Sequence, residues 1–279
     1  MIEILYALLL IPGAIIIEGL RRKTVARMHN RAGPPLLQPF YDILKLLGKE
    51  KFIYENAIFS LVPYLALFCS FFMLLIFPFS VIGFDFDFLV LGYVFILQDT
   101  IYIFGALASR SPFGMYASVR ELLLMLGYEI TFIIVLCLFF YNAGVYSFQN
   151  YDVEFAFAKI PIVALLAIFT AFVILRITPY DVMNAEAEIG AGFFSEYSGT
   201  PLAILDIAEL IKNLMTYILL GFLIFGKTYA LIMAPIFMIF YAIMLTSSAR
   251  YSTLVTAKTF IILAILAFVH LIISGSLAV

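Results

Sequence analysis

The chain has 279 residues, of which 65% are hydrophobic and only 12% are charged. A water-soluble domain carries about twice that charged fraction, so the composition excludes an ordinary soluble enzyme. The formal net charge of −2 gives no support for nucleic-acid binding. Apolar runs of about 20 residues, the length that crosses a bilayer as a helix, recur along the chain. The sequence therefore predicts an all-α membrane protein surrounded by lipid.

Eight apolar runs predict a bundle of about eight transmembrane helices in one membrane domain covering 1–279. Their approximate ranges are 2–20, 57–77, 86–108, 122–141, 160–177, 202–225, 228–247 and 259–278. The third and sixth runs are the least uniform, because each contains charged residues. The first run has no basic segment before it, carries Glu3 and is followed by positive charge, which favours a retained anchor over a cleaved signal peptide.

Lys and Arg are distributed unequally between the two sides of the predicted bundle. The connections 21–56, 109–121, 178–201 and 248–258, with their flanking residues, hold 14 of the 16 basic residues, and the other side keeps Lys159 and Lys227. Short cytoplasmic loops are enriched in Lys and Arg. We therefore expect a multi-pass plasma-membrane protein with these loops in the cytoplasm and both termini outside.

The first of these loops predicts a turn followed by a short amphipathic helix. Gly33-Pro34-Pro35 is typical of a turn. From Pro39 onward the apolar residues Phe40, Ile43, Leu44 and Leu47 recur at helical spacing, with Asp42, Lys45 and Lys49 between them. Such a segment lies in the membrane interface rather than across the bilayer. It serves either as a surface anchor or as a docking surface for a soluble partner.

Two predicted spans carry carboxylates at depths where insertion costs roughly 2.5–3.5 kcal/mol per charge. Asp99 lies in the middle of the third span and has either a structural hydrogen bond to another helix or a role in ion movement. Glu121 and Glu129 are eight positions apart, so they fall on one face of the fourth span. Snorkelling at the interface accounts for Arg120 and Glu121, whereas the deeper Glu129 indicates an ion path.

The connection after the fifth span is unusually acidic. It holds Asp181, Glu186, Glu188 and Glu196 against the single Arg176. Crowded carboxylates raise one another's pKa, which suits proton uptake near neutral pH. The alternative is a solvated acidic loop.

The sixth span carries a polar stripe of Asp206, Glu209, Asn213 and Thr216, spaced three, four and three residues apart. This spacing places all four on one helical face, which predicts either the lining of a channel or a contact with another polar helix. Lys212 follows Glu209 by three residues, a spacing at which these two side chains are able to pair.

Metal-ligating residues are few. Cys69 and Cys137 lie in separate apolar runs, and the chain has only two histidines. These residues do not supply an iron–sulfur, haem or zinc site by themselves. Any redox cofactor is therefore expected in other chains.

Three ordered motifs resemble the H-type membrane subunit of respiratory complex I and of group 4 membrane-bound [NiFe]-hydrogenases, the NADH dehydrogenase subunit 1 family. The first is EGLRRKTVARMHNRAGPPLLQPFYDILKLLGKE at 18–50. The second runs from Arg120 to Tyr128-Glu129. The third is RITPYDVMNAEAEIGAGFFSEYSG at 176–199. The sequence of residues 33–42 resembles that of membrane-bound hydrogenases, formate hydrogenlyase and related ferredoxin-linked complexes more than that of complex I.

The resemblance implies a coupling subunit without an active site of its own. Its implied partners are a NiFe-hydrogenase-like large subunit, a small iron–sulfur subunit, a ferredoxin-like iron–sulfur subunit and antiporter-like membrane subunits. The implied cofactors are iron–sulfur clusters and a NiFe centre in those partners. An acidic path for protons or sodium would include Glu129, Asp181, Glu186, Glu188, Glu196 and Glu209, to which the residue pattern adds Asp99 and Asp206. Arg27, Arg31, Arg176 and Tyr197 would shape the interface with the catalytic partner, and Arg120 joins this set.

Three other functions stay open at this point. A purely structural membrane anchor would tolerate neutralisation of the carboxylates in the sixth span. A quinone-chamber subunit of a complex I-type NADH or ferredoxin:quinone oxidoreductase belongs to the same family. The residues at 109–112, however, depart from the sequence that is usual at this motif in complex I. A stand-alone secondary ion transporter belongs to a different class and predicts inverted repeats and broken helices, which the sequence does not display.

Overall fold

The computed structural model describes residues 2–50, 56–151, 156–181 and 192–277. Ten helices in these ranges are α1 (Ile2–Met28), α2 (Gln38–Leu47), α3 (Ala57–Ile76), α4 (Asp87–Ala108), α5 (Pro112–Ala143), α6 (Ala156–Lys159), α7 (Pro161–Ile174), α8 (Thr200–Phe225), α9 (Ala230–Ser247) and α10 (Thr253–Leu277). A 3₁₀ turn, Phe194–Glu196, precedes α8.

Six of the helices, α3, α4, α5, α8, α9 and α10, are long and apolar enough to cross a membrane. The other two predicted spans correspond to α1 and α7. Helix α7 has 14 residues, which at 1.5 Å per residue gives about 21 Å, less than a bilayer core. The predicted all-α membrane fold is confirmed.

The main difference in helix boundaries is at α5. This helix begins at Pro112, so most of the connection predicted at 109–121 is helical. Ser111 explains the early start, because its hydroxyl accepts a hydrogen bond of 2.9 Å from the amide of Gly114, and proline is favoured in the first helical turn. Helix α1 likewise continues to Met28, beyond the predicted end of the first span.

Helix α8 is the centre of the bundle. It packs against α1, α2, α3, α6, α7 and α9, and most of its residues are buried. Helix α10 packs mainly along α5. A Cβ added to Gly127 of α5 would lie 2.7 Å from the Cβ of Phe260, so the missing side chain allows these two helices to approach closely.

The predicted interfacial helix is present as α2. Pro39 and Ile43 are buried beneath it, and its opposite side exposes Phe40, Tyr41 and Leu44. Helix α2 contacts α1 and α8, so the first loop folds back over the end of the bundle that contains the polar stripe of α8.

Candidate functional site

A buried ion pair joins α4 and α8. The Lys212 ammonium donates a short hydrogen bond to Oδ1 of Asp99, and the same oxygen accepts a second bond, of 2.9 Å, from the guanidinium of Arg176. The other Asp99 oxygen accepts a bond of 3.0 Å from the hydroxyl of Tyr128 on α5. Asp99 and Lys212 are 3% and 1% exposed, so this charge network is closed to bulk water.

Arg176 lies where the chain leaves α7, at a positive φ of 49°. Its Nε lies 3.8 Å from a carboxylate oxygen of Glu121, and its Nη1 lies 3.8 Å from one of Glu209. The guanidinium also lies 4.8 Å from the centre of the Tyr102 ring, a cation–π contact. One guanidinium therefore faces carboxylates from α4, α5 and α8.

We define the charge cluster as Asp99, Glu121, Arg176, Glu209 and Lys212. With every group ionised it has three negative and two positive charges, and one bound proton would neutralise the difference. The Glu121 side chain is 3% exposed, whereas that of Glu209 is 24% exposed. Glu209 is therefore the member of the cluster that meets water.

Glu209 borders a first cavity of about 380 Å³. This cavity lies between α1, α8, the segment that follows α7 and the end of α9, and its charged lining includes Arg21, Arg176, Asp181 and Arg250. Asp181 accepts a hydrogen bond of 3.0 Å from Arg250 at the edge of the cavity. Burial raises the pKa of the adjacent Tyr180 hydroxyl, which therefore stays neutral at physiological pH.

Glu209 also borders a second cavity of about 200 Å³, between α1, α2 and α8. Its charged lining includes Glu18, Arg22, Asp42 and Asp206. Arg22 of α1 and Asp42 of α2 form an ion pair of 2.7 Å across it. Three residues line both cavities: Arg21, Glu209 and Asn213.

The structure brings some of the residues predicted for an ion path close to one site and leaves others apart. Asp99 and Glu209 are in the charge cluster, Asp181 lines the first cavity and Asp206 lines the second. Glu129 is half-buried on α5, and its Oε1 has no hydrogen-bond partner in the described part of the chain. Glu196 lies in the 3₁₀ turn, away from the lining of both cavities. Two predicted members, Glu186 and Glu188, lie outside the described residues.

The residues proposed for a partner interface separate into two groups. Arg27 is exposed in the last turn of α1 and Arg31 is exposed just beyond it, whereas Arg120 is half-buried with its guanidinium 4.5 Å from the Tyr116 ring centre. Arg176 and Tyr197 lie inside this chain instead. The Tyr197 hydroxyl donates a 2.8 Å hydrogen bond to the Phe59 carbonyl, and Tyr197 is 3% exposed.

The Lys212–Glu209 pair that the helical spacing allows is not among the ion pairs of these two residues. Lys212 binds Asp99 on α4, and Glu209 faces Arg176 instead. Spacing along one helix shows which side chains share a face, but it carries no information about a stronger partner on another helix. The sequence offered one signal for the correct pair: Asp99 and Lys212 are charged residues of opposite sign, each inside an apolar span.

Both cysteines are free. Within the ranges that the structure describes, no group of three or more His, Cys, Asp or Glu side chains is placed to hold a metal ion. The chemistry that the site offers is therefore that of carboxylates, guanidinium groups and an ammonium group beside polar cavities.

The fold and the site together define a multi-pass helical membrane protein with a charge cluster that is buried except at Glu209, which borders two polar cavities. The profile of the NADH dehydrogenase family matches residues 2–276, and the chain belongs to this family. The resemblance to H-type membrane subunits is thus confirmed.

The chain is similar to a formate hydrogenlyase subunit and to NADH-quinone oxidoreductase subunits. Formate hydrogenlyase subunit 4 of Escherichia coli (strain K12) is 28% identical over 224 residues, which cover 76% of this chain and 73% of that protein. An H-type NADH-quinone oxidoreductase subunit of Syntrophobacter fumaroxidans is 28% identical, with 88% of this chain and 82% of that protein covered. The H-type NADH-quinone oxidoreductase subunit of Geobacillus kaustophilus is 31% identical, with 72% and 67% covered.

A solved structure has the same fold. A chain of the membrane-bound sulfane sulfur reductase, an archaeal respiratory membrane complex, superposes with a TM-score of 0.86 at 20% sequence identity. The match covers 97% of this chain and 99% of the other.

Proposed function

We propose that this chain is the membrane anchor and coupling subunit of a multisubunit, ferredoxin-linked respiratory complex of the membrane-bound hydrogenase or sulfur-reducing type. In this role it links redox chemistry in a docked cytoplasmic arm to proton or sodium translocation. The observation that carries the proposal is the position of Glu209, which lies 3.8 Å from the buried guanidinium of Arg176 and also borders both polar cavities.

The energetic argument is that buried charges are costly unless they have a use. Removing an ion from water costs several kcal/mol even after relaxation, and ionisable groups in membrane helices most often mark ion or proton pathways. A purely structural anchor does not need Asp99 and Lys212 in its closed interior, nor Glu209 beside water. A coupling subunit does, because its charges must respond to a change at the docked surface.

In the proposed mechanism, added negative charge in the docked arm favours proton uptake by Asp181 and Glu209, since a nearby like charge stabilises the neutral carboxyl. Protonation of Glu209 weakens its electrostatic interaction with Arg176, and Arg176 also interacts with Asp99 and Glu121. Moving one charge against 100 mV costs about 2.3 kcal/mol, so a modest redox drop is sufficient. Glu129, on the same helix as Glu121, continues the path toward membrane partners.

We further propose the partners and the orientation. The exposed Arg27 and Arg31 belong to the basic side, which we place in the cytoplasm against a NiFe-hydrogenase-like large subunit and its iron–sulfur subunits. Iron–sulfur clusters and a NiFe centre are assigned to those chains. Antiporter-like subunits are assigned to the membrane. The names of the relatives as subunits of larger oxidoreductases support this assembly.

The test is Glu209→Gln in the intact complex, which keeps the shape of the side chain and removes its charge. We expect the number of ions translocated per electron to fall by about tenfold or more, because the neutral amide cannot take up and release a proton. Asp85→Asn is the matched control, because Asp85 is an exposed carboxylate just before the start of α4 and does not line either cavity. Full translocation at full electron flow in the Glu209 variant would remove Glu209 from the path and reject the proposal.

A quinone-chamber subunit is the second candidate, favoured by the relatives named as NADH-quinone oxidoreductase subunits. The charged lining of the two cavities argues against it, because ligand pockets for apolar molecules are lined mainly by hydrophobic side chains. Assaying the purified complex with a soluble quinone and with protons or sulfane sulfur as acceptors separates the two candidates. Copurification with iron–sulfur proteins separates both from a stand-alone transporter.

A further inference from the structure

We infer that water and protons reach Glu209 through two separate inlets, one along the segment that follows α7 and one beneath α2. We call the first cavity, with Asp181, the α7 inlet, and the second cavity, with Asp206, the α2 inlet. The inference rests on the proposed function and adds to it a second route of proton supply to the same carboxylate.

The geometry places Glu209 at the junction of the inlets. Of the three residues that line both cavities, Glu209 is the only carboxylate, and Asn213, one turn further along α8, extends the shared wall. Arg21 of α1 lies opposite and also lines both cavities. Glu18 fixes the Arg21 guanidinium by two hydrogen bonds, of 2.6 and 2.7 Å. The Arg21–Glu18 pair therefore fixes the Arg21 guanidinium in the wall that the two inlets share.

Each inlet contains an ion pair between two segments of the chain. In the α7 inlet, Arg250 binds Asp181 at 3.0 Å, and the side chains are 26% and 13% exposed. In the α2 inlet, Arg22 binds Asp42 at 2.7 Å, and the side chains are 40% and 38% exposed. Solvent-exposed ion pairs contribute little to stability, so the Arg22–Asp42 pair opens readily, whereas the Arg250–Asp181 pair is mostly buried. The greater exposure of Arg22 and Asp42 makes the α2 inlet the wetter of the two.

Two inlets to one carboxylate give a redundant supply of protons. Asp181 is the carboxylate that accompanies Glu209 in the α7 inlet. In the α2 inlet, Glu18 and Asp42 are paired with Arg21 and Arg22, which leaves Asp206, one turn before Glu209 on α8, as the carboxylate that supplies protons there. Loss of either carboxylate should leave the other route open. Loss of both should isolate Glu209 from the cytoplasmic proton supply.

Water access is tested directly by cysteine labelling of the intact complex in membranes. In a chain carrying Cys69→Ala and Cys137→Ala, Leu245→Cys reports the α7 inlet, Leu210→Cys the α2 inlet and the buried Ile218→Cys the core. A charged, membrane-impermeant methanethiosulfonate should label both inlet positions at least about tenfold faster than the core position, since thiol reactivity follows access and ionisation. A Leu210→Cys rate no higher than the core rate would overturn the inference.

Function is tested with Asp181→Asn, Asp206→Asn and the double variant, after copurification shows that each complex assembles. Ion translocation should fall to about half in each single variant and by about tenfold in the double variant, both relative to the unsubstituted complex. A double variant no worse than the more severe single variant would contradict two inlets. Glu209→Gln separates a failure of this inference from a failure of the proposed function. If Glu209→Gln abolishes ion translocation and the Asp181→Asn, Asp206→Asn double variant does not, the two-inlet inference fails and the proposed function stands.

Discussion

Lys212 of α8 donates a hydrogen bond to the carboxylate of Asp99 on α4, and both side chains are closed to solvent. The pair is supported by further donors, because Asp99 also accepts bonds from Arg176 and Tyr128. Such support is needed, since the desolvation of two charges otherwise exceeds their mutual attraction. The pair thereby fixes α8 against α4 and holds Arg176 between three carboxylates.

Lys212→Met is expected to destabilise the protein by about 3–5 kcal/mol, because it leaves the negative charge of Asp99 buried with one cation fewer. Adding Asp99→Asn removes that charge, so the double variant should recover part of the loss and give a coupling energy of about 0.5–3 kcal/mol. Thermal unfolding of the purified complex in detergent measures all three variants. Strictly additive losses would show that Lys212 and Asp99 do not act as a pair.

The sequence predicted the helices and the polar face of α8 well, because both depend on local periodicity. Asp206, Glu209 and Asn213 were expected on one face, and that face lines the second cavity. Thr216 was expected to continue the stripe, but its hydroxyl is buried and donates to the Lys212 carbonyl one turn earlier, a local bond typical of threonine in apolar helices.

The centre of the site could not be predicted from the sequence. Arg176 was assigned to an external interface because the family resemblance implies that role, yet the turn at the end of α7 directs it inward to Asp99. The contact joins residues 77 positions apart, and nothing in local spacing carries that information. Glu18 and Arg21 were not predicted as site residues, because they lie at the end of the first predicted span and local spacing does not indicate that they line a cavity with α8.

Tyr128→Phe removes one donor to Asp99 while keeping the aromatic ring. The hydroxyl donates a 3.0 Å hydrogen bond to a buried carboxylate, and bonds to charged groups contribute about 1.5–3 kcal/mol. We expect the melting temperature of the complex to fall accordingly. Tyr93→Phe is the matched control, since Tyr93 lies on α4 with 68% of its surface exposed. Equal effects of the two substitutions would mean that the Tyr128 hydroxyl adds nothing.

Asp87 fastens the loop that follows α5 to the start of α4. Both of its carboxylate oxygens accept from the amide of Phe148, at 2.9 and 3.0 Å, and the residue is 1% exposed. Asp87→Ala leaves that amide without its acceptor, at a cost of about 1–3 kcal/mol. Asp87→Asn retains one acceptor oxygen and should cost less.

Hydrogen exchange of the Phe148 amide measures this effect locally. Exchange should accelerate strongly in Asp87→Ala, moderately in Asp87→Asn and not at all in Asp85→Ala, because Asp85 is exposed. Unchanged protection in Asp87→Ala would show that other contacts hold the loop.

Gly19 and Gly13 lie on the same helix and predict opposite outcomes. A Cβ on Gly19 would lie 1.8 Å from the carbonyl oxygen of Leu36, whereas a Cβ on Gly13 would have no neighbour within 4 Å. Gly19→Ala must therefore push the backbone of the first loop away from α1, which also displaces the exposed Arg31. Overpacking of this kind costs about 1–3 kcal/mol or more, and Gly13→Ala should instead stabilise the helix by up to about 1 kcal/mol. Melting temperatures and the rate of tryptic cleavage after Arg31 measure both variants. If Gly19→Ala leaves the melting temperature and the cleavage rate of the complex unchanged, the loop does not rest on α1 at this glycine.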